Sequence, residues 1–172
     1  LLDYTERLTR SAIRRFPDPI LKQPARPVER FDERLTRLIA SMVRTMRAHP
    51  RCVGLAAPQI GSRWRLAIMD ASVHPNAASS RGLLILVNPV IVHAEGRALQ
   101  REGCLSVPDF TGNVVRAARI RLAAQDALGA AREWSLERVE AVVAQHEVDH
   151  LDGTLFLDRV ANLATDVFKR KT

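Results

Sequence analysis

The stretch QHEVDHLDG at residues 145–153 constrains the fold more than any other part of the chain. It follows Val139, Val142 and Val143, which are spaced as one face of a helix, and His146 and His150 continue that face. A helix whose apolar stripe runs into two imidazoles turns them toward the interior, and buried imidazoles require partners. Two neutral imidazole nitrogens four residues apart can reach one metal ion at about 2.0–2.1 Å. Glu147 then leans to one side of that ion, where a carboxylate can take a proton from water and pass it to a leaving group. The plainer alternative is a solvated helix with two stray histidines, and the valines before the motif argue against it.

Two histidines do not complete a catalytic site, which normally uses three protein ligands and one open position. The acidic residues after His150 are Asp152, Asp158 and Asp166, with no Glu or His among them. Asp152 follows the histidine too closely to fold back, so the third ligand is expected from upstream. Cys104 in EGCLSVPD is the candidate, a thiol set between turn-forming glycine and proline. Taken alone, such a cysteine reads as a small buried hydrophobe.

The remainder of the chain alternates in type. RFPDPILKQPARPV at 15–28 is proline-rich and is expected to be extended and turn-rich. Phe31, Leu35, Leu38, Ile39, Met42, Val43 and Met46 recur at helical spacing, with Asp32 as N-cap and Pro50 as a stop, which predicts an amphipathic helix over 32–48. RLAIMD at 65–70 and LLILVNPVIV at 83–92 read as strands separated by the loop 71–82. Residues 97–107 and 113–125 read as extended, and Trp134 and Leu136 suggest one more short strand before the helix that opens near Arg138. With no repeat, linker or low-complexity tract, the expected fold is α+β in a single domain over 1–172.

Composition limits the classes that remain. Apolar residues make up 47% of 172, enough for a packed core, and no apolar run approaches a membrane span. Cys52 and Cys104 are too few for a disulfide-stapled domain, which points to a reducing compartment. The net charge is +7, and 23 of the 26 basic residues are arginine, since only Lys22, Lys169 and Lys171 are lysine. The arginines are scattered, so they predict a solvated surface and, at most, transient contact with the ribosome, without specific nucleic-acid binding.

GLAAPQIG at 54–61, EGCLS at 102–106 and QHEVDH at 145–150 occur in that order and resemble the three motifs of the peptide deformylase family; FPDPIL near the start resembles its opening segment. The resemblance spans roughly residues 15–162. It implies mixed or antiparallel sheets partly enclosing a central C-terminal metal-binding helix, and hydrolysis of the formyl group from formyl-methionyl nascent polypeptides. Carried over by residue, it makes Cys104, His146 and His150 the metal ligands and Glu147 the general base and acid. Gln59 and the Leu105 backbone N–H become the oxyanion donors. Gly54 admits the substrate backbone as an added strand, Val53, Val139 and Val143 line a methionine pocket, and Glu102 and Arg116 brace the site.

The chain departs from the family's pattern at three positions. Cys52 stands where a glycine is usual, Val142 where arginine is frequent, and Thr111 where some members carry an arginine that touches the downstream peptide.

Two imidazoles and a thiolate suit Zn²⁺, Fe²⁺, Co²⁺ or Ni²⁺ alike. The resemblance implies Fe²⁺ in the cell and Zn²⁺ or Ni²⁺ in purified protein. It further suggests a monomer in the bacterial cytoplasm, with an organellar location left open because the chain begins at Leu1. Two competing readings make different demands on the residues. A zinc endopeptidase would not need Cys104, and a non-catalytic, metal-stabilised ribosome-binding module would not need Glu147 or Gln59.

Overall fold

The computed structural model describes residues 11–77 and 79–171. Residues 1–10, 78 and 172 lie outside the described residues, so the expected extent 1–172 and the loop 71–82 are covered except there.

Among the described residues, three 3₁₀ turns, one single-turn helix and two long helices accompany eight strands. The opening segment forms a 3₁₀ turn, Pro19–Lys22, started by proline and capped by Asp18. Helix α1 spans Glu33–Arg47, and the Asp32 carboxylate accepts from the N–H groups of Arg34 and Leu35 at 3.0 and 3.3 Å, satisfying two of the four donors that a helix start leaves over. Strands β1 (Gly54–Ala56), β2 (Leu66–Asp70), β3 (Leu83–Glu95), β6 (Arg119–Gln125) and β7 (Ala131–Glu137) form one antiparallel sheet in the order β1-β2-β3-β6-β7. Strands β4 (Ala98–Cys104), β5 (Val107–Arg116) and β8 (Val167–Lys169) form a second, in the order β4-β5-β8. Helix α2, Arg138–Leu151, follows β7 without a loop, with Arg138 at a left-handed φ of 52° making the reversal. Helix α3 is one turn, Phe156–Arg159.

Burial explains the layering. In β2, Leu66, Ala67, Ile68 and Met69 are all buried, the pattern of a strand covered on both faces. Ala67 and Met69 pack with Ala141, Val143, Ala144 and Val148 of α2, while Leu66 and Ile68 pack with Leu35, Met42 and Met46 of α1. A third cluster of Leu21, Cys104, Val107, Val114, Leu155 and Phe156 joins the small sheet to α3 and the opening segment. Helix α2 is thus held between the two sheets, with β1 and β4, the end strands of their sheets, on either side of its histidines.

Two expectations required correction. The segment 113–125, read as one extended piece, is two strands in different sheets. Gln145 of α2 clamps Ala117 between them, accepting from its N–H at 2.9 Å and donating to its carbonyl at 3.0 Å. Strand β3 continues to Glu95 through irregular register near Val87–Val90 and Ile91–His93. The sequence reading also missed α3 and β8, which are too short to show periodicity.

Candidate metal centre

His146 and His150 lie one turn apart on α2, their ring centroids 4.9 Å apart and nearly perpendicular. Cys104 ends β4 at a register shift, where Cys104 pairs with Val107 and the strand turns over Leu105 and Ser106. That irregularity re-aims the Cys104 side chain toward the helix. Its Sγ sits 3.2 Å from His150 Nε2. One ligand atom from each of Cys104, His146 and His150 falls within 4.8 Å of the others, a group able to hold a metal ion.

The donor set fits a divalent metal on chemical grounds as well. Burial opposes ionisation of the Cys104 thiol, yet His150 and His146 outweigh it and hold the thiol well below its ordinary range. A thiolate is the form that binds metal. By contrast, burial pushes the Cys52 thiol up to about 12, with Glu147 adding to the rise. Cys52 donates to the Gly54 carbonyl at 3.1 Å and stays a thiol, a poor nucleophile and a poor ligand.

Partners beyond the ligands orient them. Glu102 Oε2 accepts from His146 Nδ1 at 2.7 Å, which leaves Nε2 of that ring for a metal. Arg116 donates to both oxygens of Glu102 at 2.6 and 3.0 Å and also to Asp149, which Arg159 holds from the other side at 2.7 and 3.1 Å. Burial would raise the pKa of Glu102, but His146 and Arg116 hold it down at about 2. Sequence reasoning named Glu102 and Arg116. It missed Asp149 and Arg159, for which charge alone carried no signal.

Glu147 is buried, and burial pushes its carboxyl up to about 7 against the opposing pull of His146 and His150. Its Oε2, together with Nδ1 of His150, has no hydrogen-bond partner among the described residues. A Cβ added at Gly54 would overlap the Glu147 carboxylate. The glycine in β1 is therefore required by the acid itself, a reason the sequence did not suggest. Gln59 is buried in the 3₁₀ turn Ala57–Ile60; its Oε1 accepts from Ala56 N–H at 2.9 Å, which fixes the amide so that Nε2 points at Cys104 Sγ (3.3 Å) and Ser106 Oγ (3.2 Å).

The downstream acids are engaged elsewhere: Asp152 with Arg65 at 2.6 Å, Asp158 with Lys22, and Asp166 with Asn113 at 3.1 Å. Val143 is buried beside the same helix face, with Val53 and Val139 half-buried against that cluster. Leu105 packs toward the α1 side of the core. A separate cavity of about 450 Å³, lined by Val139 with Arg81, His93, Arg119 and Arg121, contains none of the three metal-group residues.

The sequence profile of the family described as polypeptide deformylase matches residues 11–166. The chain belongs to the polypeptide deformylase family. The peptide deformylase of Acidobacterium capsulatum is 42% identical over 157 residues, covering 91% of this chain and 90% of that protein. Among solved structures, a peptide deformylase from Legionella pneumophila superposes with a TM-score of 0.82 at 41% identity, over 90% of this chain and 88% of that one. A Met-Ala-Ser-bound peptide deformylase from Acinetobacter baumannii superposes with a TM-score of 0.82 at 32% identity, over 88% of this chain and 98% of that one. The deformylase fold thus extends over most of the chain and includes all three sequence motifs.

Proposed function

We propose that the chain acts as one metallohydrolase domain that removes the N-terminal formyl group from formyl-methionyl nascent polypeptides, releasing formate. The observation that carries this reading is the convergence of Cys104, His146 and His150 with a buried Glu147 and an inward-facing Gln59 amide. Cys104, His146 and His150 would hold the metal, taken to be Fe²⁺ in the cell with Zn²⁺ or Ni²⁺ as substitutes. When bound, the metal supplies Lewis acidity toward the formyl oxygen and the attacking water.

The protein's own groups supply the rest. Glu147 takes the proton from the attacking water and delivers it to the departing amine, a role that suits a carboxyl tuned near neutral pH. Gln59, pre-oriented through its own carbonyl, and the Leu105 N–H donate to the oxygen on which charge develops. Glu102, held by Arg116, fixes the tautomer and tilt of His146. Strands β1 and β4 are end strands that flank the centre, so an extended peptide can add between them as a further strand. The first side chain would then meet Val53, Val139 and Val143, whose short branched surfaces suit a flexible methionine.

The protein is taken to work as a monomer in the bacterial cytoplasm, meeting nascent chains by transient ribosome contact. No helix among the described residues is long and apolar enough to cross a membrane.

The test is formate release from formyl-Met-Ala-Ser after anaerobic Fe²⁺ reconstitution. Steady release that depends on the metal is expected; no formate from protein with verified bound metal would overturn the reading.

A further inference from the structure

The C-terminal strand carries a cation to the edge of this centre. Strand β8 pairs with β5 through Phe110–Lys169, Thr111–Phe168 and Gly112–Val167, and Arg170 extends the ladder by donating its N–H to the Asp109 carbonyl at 2.8 Å. From there the Arg170 side chain crosses β5 and lies on Gly103 of β4. A Cβ at Gly103 would overlap Arg170 Nη2 and would stand 3.4 Å from Thr111 Cγ2. Glycine at 103 and a small residue at 111 together make the seat for the guanidinium.

That guanidinium is not consumed by the fold. No carboxylate ion-pairs with it among the described residues. Its neighbour Arg101, in contrast, donates to Asn113 at 2.9 Å and stacks 3.5 Å over the Phe168 ring. Arg116 and Arg159 are likewise tied to acids. Arg170 keeps five donors and a full charge on an exposed surface, over Gly103, the residue that directly precedes Cys104.

Strand β4 has no partner on its other edge among the described residues. A peptide added there runs roughly 4.8 Å from β4, so its residues beside Gly103 come within reach of a side chain seated on that glycine. We propose that Arg170 is a specificity-determining residue that recognises an acidic side chain in the substrate just downstream of the formylated residue. This rests on the reading of the centre as a formyl-peptide hydrolase.

The test compares wild type, Arg170→Ala and Arg170→Glu on formyl-Met-Ala-Ser, formyl-Met-Asp-Ser and formyl-Met-Lys-Ser. Wild type is expected to show a lower KM for the Asp peptide than for the Lys peptide, by about three- to tenfold, the scale of one partly shielded charge contact. Arg170→Ala should abolish the preference and Arg170→Glu reverse it, with kcat and melting temperature unchanged because the side chain is exposed. A second arm measures binding of Met-Asp-Ser and Met-Lys-Ser by calorimetry and does not depend on turnover. If no peptide releases formate, the proposed function fails, and the calorimetric arm still decides this inference. The same order of affinities in wild type and Arg170→Glu would overturn it.

Discussion

Helices α1 and α2 are nearly equal in length, 15 and 14 residues, yet they are held in place by opposite means. Helix α1 is side-chain capped by Asp32, and apart from Thr45 its buried residues are apolar. Helix α2 has no side-chain cap, and it buries Glu140, Glu147, Asp149 and His150. Each of the first and third has an arginine partner, Arg81 for Glu140 and Arg116 with Arg159 for Asp149, whereas Glu147 and His150 each retain an unpartnered buried atom. Buried polar atoms without partners cost free energy, of the order of 1–3 kcal/mol each. Helix α1 thus serves stability, whereas α2 tolerates local cost to hold reactive groups away from water.

The largest effect that would sharpen this contrast is on catalysis. Glu147→Gln should lower kcat by about 10²–10⁴, while metal content by elemental analysis stays near that of wild type. Loss of the metal in that variant would make Glu147 a ligand and break the assignment. Thermal stability should not fall, because the change removes a buried carboxylate with an unpartnered oxygen.

Next in size is the ion network behind α2. Arg116→Met removes the cation between Glu102 and Asp149 and leaves two carboxylates buried together, at an expected cost of about 3–5 kcal/mol in urea unfolding. On α1, Met42→Ala should cost a comparable or smaller 2–5 kcal/mol by opening a cavity, with kcat/KM unchanged. An activity loss in Met42→Ala at full folding would show that α1 also positions the site.

The smallest effects concern the caps. Asp32→Ala should cost about 0.5–2 kcal/mol, whereas Glu137→Ala, which removes no capping bond, should stay within about 0.5 kcal/mol. Equal costs from chemical denaturation would remove the distinction drawn between the two helix starts.

Much of the centre was legible because its signals are local. The spacing of His146 and His150, the Asp32 cap and the run of Leu35, Met42 and Met46 are properties of a 3.6-residue period, and they survive in the linear chain. Cys104 was legible only as a candidate, by the lack of a third ligand downstream, and Gln59 only through the motifs of a known family, since 45 residues separate the two and neither has a periodic neighbour that points to the other. Asp149 shows the limit. Within the motif it looks like any solvated helix carboxylate, and only the arrival of Arg116 from β5 and Arg159 from α3 makes it interior.

By itself, the sequence determined which helix would carry the chemistry, that the chain would be α+β, and which residue types could ligate a metal, because periodicity and side-chain chemistry are local quantities. Tertiary structure alone decided that 113–125 would divide between two sheets, that Gly54 would be required by Glu147, and that Arg170 would come to rest on Gly103. Those outcomes depend on which distant strands share hydrogen bonds. Loop-closure entropy changes slowly with chain length, so sequence separation carries almost no information about which pairing wins.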